Sequence, residues 1–179
     1  MKFKGLFLSL MAAAVIFTGC GTNGDNAGND KDTDKDKDTD VVTSASVATD
    51  AESLKTAMGE DGTWIIVVQQ DLTVDEEVVL EGEVAKEGGE YEGRKLALYD
   101  QDDDRNITDS YTLTAPKVTI KADKTTLKGG VIVGDLYVEA NDVTLDNMKI
   151  EGNVYFASEE VESSFTLTES EVTGNQEVQ

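Results

Sequence analysis

The stretch Gly129–Val154 reads "GGVIVGDLYVEANDVTLDNMKIEGNV", and within it the chain begins to repeat itself. "GDLYV" from Gly134 is followed by "GNVYF" from Gly152 and "GNQEV" from Gly174, each a glycine, an Asp or Asn, and then alternating positions. An aliphatic residue stands two places before each glycine: Ile132, Ile150 and Val172. The spacings are 18 and 22 residues. A second column runs through "VTI" at Val118, "VTL" at Val143 and "FTL" at Phe165, spaced 25 and 22, with "LTV" at Leu72 as an earlier member. Periods of about 20 residues mark solenoids, in which each coil stacks on its neighbours to bury its apolar positions. The repeated units alternate with period two and have no helix between them, so the sequence predicts an all-β parallel β-helix.

In such a coil Val143 and Leu145 point inward and Thr144 outward, and equivalent residues of successive coils lie about 4.8 Å apart. Glycines turn the corners, in conformations that a β-carbon penalises. The expected core is Leu96, Leu98, Leu113, Val118, Ile120, Leu127, Val133, Leu136, Val138, Val143, Leu145, Ile150, Val154, Phe156, Phe165 and Leu167. "TDAESLKTAM" offers Thr49 and Asp50 as caps and sets Ala51, Leu54, Ala57 and Met58 on one helical face. A short helix over Asp50–Gly59 is expected to cap the first coil. No second segment has a helical period, and "ASEEVESS" is expected to bulge from a corner. At the other end, an apolar cross-section around Phe156, Phe165 and Leu167 is rimmed by Glu159, Glu160, Glu162, Glu169, Glu171 and Glu177. End-to-end self-association, held off by that acidic rim, is the expectation there.

The Gly129–Val154 stretch resembles the repeat of the bactofilins, polymer-forming proteins with recurrent aliphatic-x-Gly-Asp/Asn-aliphatic corners. The opening "SLKTAM...GTWIIVVQQDLTV" resembles the helix-capped first coil of pectate-lyase-like proteins. Both resemblances imply a right-handed β-helix over residues 50–179; the first implies polymer formation and the second a polysaccharide-active lyase or glycosidase-like enzyme.

The first twenty residues give the address. Lys2 and Lys4 precede an uncharged run from Leu6 to Phe17, too short to span a bilayer and of the form of a secretory signal peptide over residues 1–19. Phe17-Thr18-Gly19-Cys20 resembles the lipobox of bacterial lipoproteins, with Cys20 as the lipidated, palmitate-bearing mature N-terminus. A diacylated cysteine holds a protein stably at the membrane. Residues 20–49 then form an acidic linker with Asp at every second position from Asp30 to Asp40 and a reach of roughly 30 Å. The expected product is a membrane-anchored, extracytoplasmic lipoprotein at the cell surface.

Composition excludes much chemistry. The chain has no histidine and one cysteine, so Ser-His-Asp and Cys-His catalysis and ordinary zinc sites are absent. The net charge is −22, and loss of Lys2 and Lys4 with the leader makes it −24. Nucleic acid is a poor partner for that field; cations, a basic protein or, first of all, simple solubility account for it better, and cell-wall polysaccharide is a separate candidate partner. One acidic loop stands out, "DQDDDRNITD" over Asp100–Asp109. Asp100, Asp102, Asp104 and Asn106 alternate as calcium ligands do, but Arg105 holds the glycine position of such a loop and Tyr111 that of its closing glutamate. Glycosidic chemistry requires paired carboxylates, and here it requires the loop to converge with Arg94, Asp135 or Tyr137 in one cleft. A non-catalytic binding or structural module with no cofactor other than calcium is the main expectation, and a polysaccharide-active enzyme or a bactofilin-like polymer the alternative.

Overall fold

The computed structural model describes residues 45–85 and 89–179; the leader, Cys20 and the acidic tether up to residue 44 lie outside the described residues. The fold is all-β, built from three ladders of parallel strands in which each strand pairs with one a repeat later. The first ladder comprises β1 (Ala45–Ala48), β2 (Ile65–Val68), β5 (Lys95–Ala97), the starts of β8 (Thr126–Val138) and β9 (Thr144–Glu151), and β11 (Thr166–Thr168). The second comprises β3 (Leu72–Thr73), the middle of β7 (Ile107–Ile120), the middle of β8, the end of β9, and β12 (Glu171–Val172). The third comprises β4 (Val78–Leu80), the ends of β7 and β8, β10 (Val154–Phe156) and β13 (Gln176–Val178). One pairing breaks the pattern: β6 (Tyr99–Gln101) runs antiparallel to the start of β7 and forms a hairpin with it.

Register carries the core. Ile66, Leu96, Leu127 and Leu145 stack in the first ladder, Leu72, Leu113, Ile132 and Ile150 in the second, and Val78, Val118, Leu136 and Val154 in the third, all buried. The glycine column is therefore real, but two other assignments shift. Val118 lies beside Leu136, in the ladder of the "GDLYV" repeats, and Leu72 lies beside Leu113, in the ladder of Ile132 and Ile150. Three core expectations also change. Val133 is only half buried and Ile132 takes the inward place, because Gly129-Gly130 turns a corner inside β8 and resets which alternate residues face in. Phe165 is half buried, its ring 5.0 Å from that of Phe156, and Leu167 is 41% exposed because, among the described residues, no further strand stacks on β11.

The corners explain the residue types. A β-carbon on Gly152 would sit 2.1 Å from the Gly134 carbonyl oxygen, one on Gly174 2.4 Å from that of Gly152, and one on Gly134 1.8 Å from that of Ala115. Only Gly134, at φ 138°, also needs glycine's conformational range; for Gly152 and Gly174 the requirement is close approach between layers, which corrects the conformational reason. The Asx residue that follows each glycine pairs with its copy in the next layer. Asp135 Oδ1 accepts from the Asn153 amide N–H at 2.9 Å, and Asn153 Oδ1 accepts from the Asn175 amide N–H at 3.0 Å. Corner N–H groups that the ladders leave over are thus satisfied between layers.

Helix α1 (Ala51–Met58) forms where expected, with an Asp50–Ser53 capping box and Leu54, Ala57 and Met58 buried. Arg94 fastens its far end. This side chain is 1% exposed and, among the described residues, pairs with no carboxylate; it donates instead to the carbonyls of Ala57, Met58, Gly59, Thr63 and Glu81. A cation at a helix C-terminus answers both its orphan carbonyls and its dipole. Burial pulls the guanidinium down to about 10, so it stays charged at neutral pH. Two elements are additional to the sequence expectation. Strand β1 lies within the stretch read as linker, and "ASEEVESS" contains a second helix, α2 (Glu159–Ser164), capped by Ser158 and burying Val161. Six residues are too few for a helical period to register.

Crowding at the corner predicts a contrast between two glycines. Gly152→Ala should cost about 1–3 kcal/mol in urea unfolding. Gly59→Ala, whose nearest neighbour would be 3.4 Å away, should stay within about 0.5 kcal/mol of the parent.

Candidate functional site

Tyr99 and Tyr111 flank the acidic loop, and the structure makes them the root of the β6–β7 hairpin. That root is seated on the Gly129-Gly130 corner, where a β-carbon at Gly129 would lie 2.5 Å from the Tyr99 ring and one at Gly130 2.5 Å from the Tyr111 carbonyl oxygen. The hairpin thereby stands over the first ladder and walls a groove. Its floor is apolar, from Ala45, Ile65, Val67 and Ala97; Gln69, Lys95, Tyr99, Asp100 and Gln101 supply the polar wall.

The polar groups are organised. Asp100 accepts from Tyr111 Oη at 2.6 Å on one carboxylate oxygen and from Gln69 Nε2 at 2.5 Å on the other. Those two donors, Tyr111 first, hold the Asp100 carboxyl below the usual carboxylate range. The same bond pushes the Tyr111 phenol up to about 12. Lys95 Nζ donates to Tyr99 Oη at 2.8 Å and lies 5.2 Å from the centre of that ring. Nearby, Asp71 accepts from the Thr112 amide N–H at 2.8 Å, which ties β7 to the turn before β3. An apolar floor with a few convergent amide, carboxylate and ammonium groups suits a ligand with both C–H faces and hydroxyls.

Of the four calcium candidates, only Asp100 reaches this groove. Asp102 and Asn106 lie at the hairpin tip, where Asp102 accepts from the Asn106 backbone at 2.8 Å and from its side-chain amide at 3.0 Å. Asp104 is exposed in the same turn, and Arg105 occupies the left-handed region at φ 67°, the conformation a hairpin tip demands. Among the described residues no three His, Cys, Asp or Glu side chains gather to hold a metal ion. The acidic loop does not converge with Arg94, Asp135 or Tyr137. Arg94 is buried under α1, Asp135 belongs to the Asx corner, and Tyr137 stands on the third ladder, 4.8 Å from the Tyr155 ring with Lys117 Nζ 4.3 Å from its own centre. Cys20 lies outside the described residues. No sequence pattern marks Gln69, Lys95, Tyr99 and Tyr111 as site residues; the tyrosines on either side of "DQDDDRNITD" are the one sign of a hairpin there. No protein-family model, curated protein or solved structure matches this chain.

Coupling between Asp100 and Tyr111 has a spectroscopic consequence. A phenol whose folded value is raised adds stability that is complete below pH 10 and lost as pH rises through 12. Ultraviolet titration of phenolate absorbance should place Tyr111, identified by its loss in Tyr111→Phe, near 12. Asp100→Asn should bring it back toward 10.

Proposed function

We propose that this chain is a lipid-anchored, extracytoplasmic binding module whose hairpin groove takes a segment of polysaccharide without cleaving it. The observation that carries the reading is the state of Asp100. A glycosidase flanks the bond with two carboxyl groups, one of them kept protonated near neutral pH, whereas the residues lining this groove include one carboxylate, Asp100, whose two oxygens already accept from Tyr111 and Gln69. It is built to accept hydrogen bonds, beside amides and an ammonium that can do the rest of the recognition.

The architecture in this reading is a right-handed parallel β-helix with α1 as its N-terminal cap. Support comes from the three parallel ladders and from the strong right-handed preference of connections between parallel strands. The anchor rests on the Phe17–Cys20 motif and its basic, apolar leader. Among the described residues no helix is long and apolar enough to cross a membrane. A tether of the composition of residues 21–44 would let the groove work away from the membrane surface.

Two measurements test the proposal. Cys20→Ala should move the protein from the membrane fraction to the soluble one and abolish lipid labelling. Sedimentation with insoluble cell-wall polysaccharide should retain the parent protein, and the double variant Gln69→Ala/Lys95→Ala should bind at least tenfold more weakly. Release of new reducing ends or unsaturated products by the parent would replace this reading with the enzymatic one.

A further inference from the structure

A second groove lies at the N-terminal end of the first ladder, and it is bounded by backbone. Strand β1 is the outermost strand of its ladder and, among the described residues, pairs with β2 alone. An edge strand presents a row of N–H and C=O groups that template another strand, and proteins ordinarily blunt such edges. Among the described residues nothing pairs with or covers this edge. The groove beside it is walled by Ser46 and Val47 of β1, by Ser53, Thr56 and Ala57 of α1, and by the 61–63 loop. Val47 is 52% exposed, the most exposed large hydrophobic side chain among the described residues.

Charge selects the occupant. Asp50, Glu52 and Asp61 line the groove, and no lysine or arginine does. The nearby Lys55 is turned away to Glu76 at 2.9 Å. An anionic ligand is disfavoured twice, by those carboxylates and because the Asp50–Ser53 capping box already occupies the helix N-terminus. A second copy of this chain, at −22, meets the same repulsion.

We infer that the free edge of β1 accepts an extended cationic segment of another protein as an added strand. Main-chain pairing to β1 supplies the register, and alternate side chains supply selectivity. Residues on the outer face lie beside Ala45 and Val47 and are apolar. Those on the inner face continue the column of Ser46, against Thr56 and Ala57, and are small. Lysines or arginines flanking the segment meet Asp50, Glu52 and Asp61. Four residues of β1 correspond to about 13 Å of partner strand.

The test uses the full chain and a labelled synthetic peptide of valines and small residues flanked by lysines. A matched peptide of equal charge, N-methylated on alternate amides, keeps the electrostatics and loses one edge of backbone pairing. Hydrogen exchange should slow at Ala45–Ala48 on binding, the methylated peptide should bind at least tenfold more weakly, and Glu52→Lys/Asp61→Lys should weaken binding at least tenfold with unfolding temperature unchanged. Equal binding of the methylated peptide, protection elsewhere in the chain, or no binding would overturn the inference.

Discussion

At the corner between the second and third ladders, one backbone rests directly on another. Gly152 lies on the carbonyl of Gly134, and Gly174 on that of Gly152, with no room for a methyl group between them. That contact fixes the layer spacing, and the rest of the structure depends on it. Strands one repeat apart can hydrogen-bond along their length only if their corners come this close. Given that spacing, identical positions meet: Leu127 with Leu145, Ile132 with Ile150, Leu136 with Val154. Asp135 and Asn153 can then satisfy the next layer's corner amides. A single constraint thus selects glycine, the Asx residue after it and the aliphatic columns on either side.

The departures from the repeat are where the chain acquires individuality. The earlier layers are interrupted, and each interruption is tied back to the stack by a specific device. Arg94 gathers five carbonyls from α1, the loop after it and the turn after β4, replacing at the first layers the support that a preceding layer would give. The hairpin is seated on Gly129-Gly130 and cross-linked through Asp100, Gln69 and Tyr111. Both grooves lie at these interruptions, one beside α1 and the 61–63 loop and the other beside the hairpin.

Legibility in the sequence follows the same division. Where layers are 18 or 22 residues apart the columns could be read directly, and Gly134, Gly152 and Gly174, with their Asx neighbours, stack as their spacing implies. Val118 and Leu72 stand in other ladders than their local pattern suggests because insertions separate the first layers, so that Leu72 meets Leu113 and Val78 meets Val118. Val133 has the pattern of a core residue but is half buried, because the Gly129-Gly130 corner changes the inward parity within one strand. Leu167 has the pattern of a core residue, yet burial depends on what lies above it, which no local pattern encodes. The role of Arg94 was invisible for a related reason: its partners are main-chain carbonyls, which leave no mark on residue type. In the acidic loop the alternating aspartates are conspicuous, while the groups that organise the groove carry no such pattern: Gln69 follows β2, 31 residues before Asp100, and Lys95 stands alone at the start of β5.

In-register parallel stacking is the central claim, and proton–proton contacts in the isotope-labelled chain test it most directly. Amide and α-proton contacts should join Thr126–Lys128 to Thr144–Asp146, and Thr144–Asp146 to Thr166–Thr168, in the pattern of parallel strands. Close α-proton pairs across these segments, the mark of antiparallel strands, or contacts displaced by one residue would contradict the account.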